Sequence, residues 1–222
     1  MFQLINPSHT GRYPPRPLSF DMEWPVSFGR KTENKTALIQ VSDGKIILLV
    51  QISGRSSITM LRASLITDAS LMRTHSAMYY KIPPSLLAVI QSPTRLLYGV
   101  NIRNDCLKLA RDFPSLGRPQ GFVDLSHVSR ELDPARWGAE GRRLISLAKL
   151  TEAHVGETLE KPKERTSDWR KPLTERQRDY AASDVQCGWA ILERLRALHA
   201  GGAGAEGETW EALLDRLKGD DV

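Results

Sequence analysis

The chain has 222 residues, of which 41% are hydrophobic and 26% are charged, so it is long enough for one globular domain and too short for a second full one. Its 31 Lys and Arg residues against 26 Asp and Glu give a net charge of +5, which favours a polyanionic partner without requiring one. The longest aliphatic run, residues 46–50, falls far short of the roughly 20 residues that span a bilayer, so we expect an intracellular protein without membrane contact.

The first part of the chain, residues 1–17, is rich in proline near its end and has no periodicity, which predicts an extended arm. Beyond it, five segments have the length and apolar content of strands: residues 18–24, 36–42, 45–52, 95–100 and 122–125. The second and third of these segments are separated by Asp43-Gly44, a strong signal for a tight turn. The first three strands should therefore be neighbours in sequence order.

Helical patterns occur in four further segments, which are residues 83–90, 101–113, 144–159 and 174–199. The last segment opens with Thr-Glu-Arg-Gln at residues 174–177, which is a capping box. The two cysteines, Cys106 and Cys187, lie within these helical segments, so we interpret them as buried side chains in a reducing compartment and expect no disulfide or zinc site.

The C-terminal part of the chain begins with a glycine-rich stretch, residues 200–204, that predicts a flexible linker. From about residue 209, a short amphipathic helix places its apolar side chains at helical spacing: Trp210, Leu213, Leu214 and Leu217. We expect this helix to dock on its own domain, with a protein partner as the alternative.

Two acidic residues, Asp21 and Glu23, lie on the same face of the first strand because side chains alternate along a strand. Asp105 lies at the boundary of the apolar face of its helix, and Tyr180 and Asp184 are one helical turn apart. Each acid alone could be an ordinary surface residue. Together they would repel by roughly 4 kcal/mol per pair at 4 Å and an effective dielectric near 20, so a cluster of them requires cations, and carboxylate oxygens suit Mg²⁺ or Mn²⁺.

Three motifs contain these residues: Phe-Asp-Met-Glu-Trp at 20–24, the segment 99–109 around Asp105, and the segment 173–184 that ends at Asp184. They resemble the three exonuclease motifs of the DEDD superfamily, and Tyr180 indicates the tyrosine subclass. Within that subclass, residues 18–199 are most similar to the Werner-syndrome-type exonuclease domain, with ribonuclease D as a relative.

The resemblance implies an α/β fold of the ribonuclease-H-like type, with a mixed sheet of five to six strands flanked by helices. It also implies removal of nucleotides from the 3′ ends of DNA or RNA, as nucleoside 5′-monophosphates, with two ions of Mg²⁺ or Mn²⁺. Asp21, Glu23 and Asp184 would hold the first ion. Asp21 and Asp105 would engage the second ion, and Tyr180 would orient the attacking water.

The candidate substrate-binding residues are Met22, Trp24, Lys35 and Leu107. Lys35 supplies a cation for phosphate, and Trp24 supplies a ring on which a base can stack, although both residues could instead have structural roles. Leu107 stands where some relatives of the family carry a bulky aromatic side chain near the end of the substrate.

One departure from the family pattern is the segment 55–80, which has no sustained period and resembles an insertion. A substrate-gating loop, a disordered surface loop and a faulty gene model are alternatives, and we favour a poorly ordered insertion. The predicted organisation is therefore an arm over 1–17, an exonuclease domain over 18–199, and a linker with a helix over 200–222.

The leading hypothesis for function is a metal-dependent 3′-to-5′ exonuclease with DNA favoured over RNA. The alternative is a binding or scaffold module with the exonuclease fold and little turnover. The basic residues of segment 161–165 are too sparse to form a nuclear signal by themselves. Residence in the nucleus is therefore expected from the resemblance alone.

Overall fold

The computed structural model describes residues 16–26, 33–53, 57–62, 70–76, 82–117, 119, 121–138, 141, 143–159 and 163–219. The predicted N-terminal arm lies outside these residues, except for Arg16 and Pro17. Within the described segments, every helix is too short or too polar to cross a bilayer.

The described residues form a single mixed sheet of eight strands, in the spatial order β5-β4-β3-β2-β1-β6-β7-β8. The strands are β1 (Leu18–Glu23), β2 (Leu38–Ser42), β3 (Ile46–Gln51), β4 (Ser57–Arg62), β5 (Ser70–Ser76), β6 (Leu97–Gly99), β7 (Phe122–Asp124) and β8 (Lys218–Gly219). Strand β1 is antiparallel to β2 and parallel to β6, so antiparallel pairing changes to parallel pairing at β1; β8 at the far edge is again antiparallel to β7.

In the described part of the chain, seven helices flank the sheet: α1 (Pro84–Ile90), α2 (Ile102–Asp112), α3 (Leu125–Leu132), α4 (Pro134–Trp137), α5 (Leu147–His154), α6 (Glu175–Ala200) and α7 (Trp210–Arg216). The capping box predicted at the start of α6 is confirmed, because the Thr174 hydroxyl accepts from the Gln177 backbone and the Gln177 side chain accepts from the Thr174 backbone. The expected mixed sheet is also confirmed. Its five predicted strands correspond to β1, β2, β3, β6 and β7, and β4, β5 and β8 bring the described sheet to eight strands, more than the five to six expected.

The prediction of a poorly ordered insertion over residues 55–80 is wrong for the residues that the structure describes there. They form β4 and β5, which are antiparallel neighbours, and β4 pairs with β3 along its whole length. The physical reason is the outer edge of β3, whose backbone N–H and C=O groups would otherwise lack partners at the edge of the sheet. Leu61 of β4 is also buried, in the cluster that contains Ile47 and Leu49 of β3.

The central strands are buried on both faces, so successive side chains of β3 are apolar and its sequence is a continuous aliphatic run. In β2, Ile39 belongs to the core cluster formed with α1 and α2, whereas its neighbour Leu38 belongs to the cluster formed with α6. Helix α6 is therefore seated directly on β1, β2 and β3. Both cysteines are free and buried, which confirms their interpretation as core residues.

The C-terminal helix α7 packs on its own domain. Leu213 and Leu214 are buried in the cluster that contains Ile191 and Leu195 of α6, and the ring of Trp210 lies edge-on to His199 with centroids 5.6 Å apart. The apolar face that we considered for a protein partner is thus occupied within the chain.

The Asp43-Gly44 turn between β2 and β3 fixes the hairpin against α6. Gly44 has φ +83°, and a Cβ at this position would overlap the indole of Trp189 in α6. The close approach of turn and helix therefore requires glycine.

We expect Gly44→Ala to lower the free energy of unfolding by about 3 kcal/mol or more, since positive φ and overpacking each cost roughly 1–3 kcal/mol. Gly156→Ala is the matched control, because Gly156 has φ +82° with open space around the added Cβ. It should cost about 1 kcal/mol. Urea unfolding measures both variants, and equal losses would show that the contact with Trp189 adds nothing.

Candidate active site

Three carboxylates meet at the end of the central strand. Asp21 and Glu23 of β1 and Asp184 of α6 each offer one oxygen, and these ligand atoms all lie within 4.8 Å of one another. They line a cleft of about 750 Å³ that Asp105 and Tyr180 also border. The structure therefore brings together all five residues that the motifs identified.

Two glycines allow the supporting elements to approach β1 closely enough to form this cluster. A Cβ at Gly99 would lie 2.7 Å from the Phe20 carbonyl oxygen, and a Cβ at Gly188 would lie 2.5 Å from the Ser19 hydroxyl oxygen. Gly188 follows Asp184 by one helical turn. Its missing side chain therefore sets the distance between α6 and the strand at the level of the acids.

Asp105 lies in the first turn of α2, directly after β6. The turn into this helix is made by Asn101 in the left-handed region, with φ 60°, a conformation that asparagine tolerates better than most residues. The Asp105 side chain is buried and lies close enough to Asp21 and Glu23 to raise their mutual electrostatic energy. It stands outside the three-residue cluster but borders the same cleft.

Tyr180 has two neighbours that bear on its role. Its hydroxyl lies close to the Asp184 carboxylate, one turn further along α6, and each group shifts the pKa of the other. Its ring packs against Trp169, which is fully buried, with centroids 6.0 Å apart. The Trp169 carbonyl in turn accepts a hydrogen bond of 2.8 Å from the Gln51 side chain of β3. The phenol is therefore positioned by packing that extends into the sheet.

The electrostatics of the site oppose ionisation of all four acids. Burial raises the pKa of Asp21 to about 6, and burial followed by the charge of Asp21 raises the pKa of Asp184 to about 8. The pKa of Glu23 rises to about 10 for the same two reasons, with further contributions from Asp184 and Asp105. Burial, then Asp21, also raises the pKa of Asp105 well above 3.8, and burial with Asp184 raises that of Tyr180.

The donor set fits a divalent cation with a preference for oxygen. Asp21, Glu23 and Asp184 provide carboxylate oxygens, the cluster contains no His or Cys among the residues that the structure describes, and the three acids lie close enough together to share one ion. The raised pKa values of the four acids indicate that neighbouring cationic side chains do not compensate their negative charge. A bound divalent ion would supply that compensation.

The four candidate substrate-binding residues divide into two groups. Met22 and Trp24 border the cleft, whereas Lys35 and Leu107 are not among the described residues that line it. Met22 is also part of the core beneath the acids, and Leu107 packs against that core.

Trp24 is supported by Lys108 of α2, whose ammonium lies 4.8 Å from the ring centroid. Lys108 is buried, donates to the Asn34 carbonyl at 2.7 Å and pairs with Asp112 at 3.0 Å. This buried ammonium was not found by motif reasoning, although its spacing of three residues from Asp105 places it on the same side of the helix.

The sequence reasoning also missed other cleft-lining residues. Leu144 and Val26 are exposed apolar side chains at the cleft, 55% and 44% exposed, and Arg165 contributes a cation from a 3₁₀ turn at Lys163–Thr166. None of the three falls within an acidic motif. Arg165 belongs to the basic segment that we considered only as a nuclear signal.

The fold and the acidic site define a nuclease class, and the chain belongs to the 3′-5′ exonuclease family, whose sequence profile matches residues 8–198. A 3′-5′ exonuclease of Drosophila melanogaster is 34% identical over an alignment of 187 residues, which covers 81% of this chain and 44% of that protein. The chain thus spans less than half the length of this curated relative. The resemblance to the DEDD superfamily is confirmed.

Solved structures show the same fold at lower identity. Escherichia coli RNase D, an exoribonuclease involved in structured RNA processing, is 22% identical with a TM-score of 0.57 over 90% of this chain and 43% of its own. The Aedes aegypti Nibbler EXO domain is 19% identical with a TM-score of 0.60 over 91% and 85%. Brucella melitensis NrnC bound to pGG is 18% identical with a TM-score of 0.54 over 84% and 75%.

We expect Asp184→Asn to stabilise the metal-free protein at pH 8. The folded-state pKa of Asp184, about 8, exceeds the ordinary value of 3.8, so the stability associated with its proton is lost as pH rises through that window. Asparagine cannot ionise, and since each pKa unit corresponds to about 1.4 kcal/mol, the gain should be about 1 kcal/mol or more. Urea unfolding with EDTA at pH 8 and pH 4 measures it, and the gain should shrink at pH 4.

The control for this prediction is Asp168→Asn. Asp168 forms an ion pair with Arg170 at 2.7 Å, and the hydrogen bond from Arg170 lowers its pKa, so removal of its charge should not stabilise the protein at either pH. An Asp184→Asn variant that is less stable than the parent at pH 8 would contradict the electrostatic account of the site.

Proposed function

We propose that this protein is an active, metal-dependent 3′-to-5′ exonuclease that hydrolyses phosphodiester bonds at nucleic-acid 3′ ends and releases nucleoside 5′-monophosphates. The observation that carries the proposal is the approach of the ligand oxygens of Asp21, Glu23 and Asp184 to within 4.8 Å of one another, in a cleft that Tyr180 also lines. Membership of the 3′-5′ exonuclease family supports it.

Two ions, Mg²⁺ or Mn²⁺, fit the proposed mechanism, with Asp21, Glu23 and Asp184 around the first and Asp21 and Asp105 around the second. Such ions lower the pKa of an attacking water and stabilise the charge on the leaving 3′-oxygen. Binding them requires the four acids to lose their protons, so metal affinity should increase with pH.

Tyr180 has a distinct part in this mechanism. Burial and the neighbouring Asp184 raise the pKa of its phenol, so it keeps its proton at neutral pH. A protonated phenol cannot be the general base. It can orient the attacking water by hydrogen bonding, while packing against Trp169 holds the Tyr180 ring in place.

DNA is the favoured substrate in this proposal, and the support is the Asp-Met-Glu-Trp motif, which resembles the Werner-type exonuclease. Trp24 borders the cleft and could stack on a base of the substrate strand. Residence in the nucleus and a protein partner remain predictions. A partner on α7 would have to use its exposed side, because Leu213 and Leu214 are buried.

The test is an exonuclease assay on a 5′-labelled DNA duplex with a recessed 3′ end and on single-stranded RNA, with Mg²⁺, Mn²⁺ or EDTA. We expect stepwise shortening that requires metal, is faster on DNA, and is abolished by Asp21→Asn. Tyr180→Phe should lower kcat about tenfold, since one orienting hydrogen bond is worth roughly 1 kcal/mol and about 1.4 kcal/mol corresponds to tenfold in rate.

The matched control is Tyr98→Phe, because Tyr98 is a buried core residue that does not line the cleft, and this variant should keep the parent's rate. A folded parent protein that binds the strands but never shortens them would refute the enzymatic proposal. It would favour the alternative of a binding module with the exonuclease fold.

A further inference from the structure

Among the described residues that line the cleft, Arg165 is the one with a cationic side chain. The other charged residues there are the four acids of the site. Arg165 is exposed, and its charge acts on Glu23 and Asp184, where it lowers the pKa values that burial raises. Arg165 therefore lines the same cleft as the acids and is close enough to act on one acid of β1 and one of α6.

The segment that carries Arg165 is fastened to the elements that carry the acids. The Ser167 backbone N–H donates to the Glu164 carbonyl at 2.9 Å, and the Ser167 hydroxyl accepts from the Gln177 side chain at 2.8 Å. Gln177 belongs to the capping box of α6 and lies one turn before Tyr180. Two residues after Ser167, Trp169 is fully buried against Tyr180. The backbone at Arg165 thus has a defined position relative to the site.

Arg165 is not used to hold the fold together. Within the part of the chain that the structure describes, its guanidinium forms no ion pair of 4.0 Å or less and donates no hydrogen bond. The exposed arginines nearby in sequence and at the C-terminus behave differently, because Arg170 pairs with Asp168 and Arg216 pairs with Glu131. A guanidinium with five N–H donors at the border of an acidic cleft is thus available to a ligand.

We propose that Arg165 binds a backbone phosphate of the substrate strand, within the last two linkages at its 3′ end. This proposal rests on the proposed function and identifies a substrate-positioning residue outside the acidic motifs. A planar guanidinium can donate two parallel hydrogen bonds to phosphate oxygens, which gives orientation as well as affinity. The contact would hold the strand while the acids act on the terminal linkage.

The chemistry of the cleft explains why a cation is needed there. A nucleic-acid strand carries one negative charge per linkage, and the acids would repel it wherever bound metal does not compensate their charge. Arg165 offers the strand an attractive contact beside the acids without being one of the metal-binding residues. The contact involves phosphate alone, so it would serve DNA and RNA equally.

Binding by the full chain tests the proposal, with fluorescence anisotropy of a 5′-labelled single-stranded oligonucleotide in Ca²⁺ at several salt concentrations. We expect Arg165→Met to weaken binding about tenfold or more, as loss of a charge-assisted hydrogen bond to phosphate predicts. The slope of log affinity against log salt should fall by about 0.7, the value for one phosphate of a single strand. Arg165→Lys should retain most of the slope.

Arg170→Met is the matched control, because Arg170 is exposed, lies five residues away and is paired with Asp168 outside the cleft. It should bind as the parent does. Equal binding by Arg165→Met and the parent would overturn the proposal, and so would weaker binding with an unchanged salt slope, which indicates a structural effect.

Oligonucleotides with a single neutral methylphosphonate locate the contact. At one of the last two linkages, the neutral group should weaken binding by the parent and leave Arg165→Met unaffected. If the neutral group at each of the two linkages weakens Arg165→Met as much as it weakens the parent, the proposal is overturned.

Turnover in Mg²⁺ is measured separately. A parent that binds in an Arg165-dependent way without shortening the strand would refute the exonuclease and support the phosphate contact. A parent that does not bind the oligonucleotide would overturn the phosphate contact.

Discussion

The mutual repulsion of clustered carboxylates at the end of β1 is the constraint on which the rest of this structure depends. Three ligand oxygens lie within 4.8 Å, and a fourth acid, Asp105, is close enough to influence them. Such an arrangement is unfavourable without compensating charge, since desolvation and like charges both disfavour ionisation. The arrangement is maintained because packing of the surrounding core holds β1, α2 and α6 in place and offsets the unfavourable electrostatic energy of the acids.

The elements around the acids supply the required closeness. Gly99 of β6 and Gly188 of α6 have no side chain at the points where these elements approach β1 most closely. Apolar clusters on both faces of the sheet hold α2 and α6 in place, and the capping box secures the beginning of α6 before Tyr180 and Asp184. The core therefore stabilises the fold, and the clustered acids of the site lower that stability. A metal ion that binds the folded state would return stability by mass action.

Local sequence signals were sufficient for much of this fold. The hairpin at Asp43-Gly44, the helix at Pro84 and the capping box at Thr174 each have a strong local signature, and the structure contains all three. Helix α5 begins later than its periodicity predicted, because Ser146 caps it at Leu147. Strands β4 and β5 were missed because their pairing is decided by the open edge of β3, which is a tertiary effect that no local pattern records.

The site was predictable to a similar extent and for a similar reason. Periodicity and motif spacing predict the acids and Tyr180. The positions of Arg165 at the cleft and of Lys108 over the Trp24 ring are evident only from the fold. Lys35 looked suitable as a phosphate contact in sequence, yet it is not among the described residues that line the cleft. Charge alone does not specify position.

The most direct test of the central claim is to locate the metal. A crystal of this protein grown with Mn²⁺ should show anomalous difference density between Asp21, Glu23 and Asp184, with a second peak between Asp21 and Asp105. Full-occupancy Mn²⁺ bound elsewhere, with the three carboxylates remaining free of metal, would contradict the account of this cluster as the metal site.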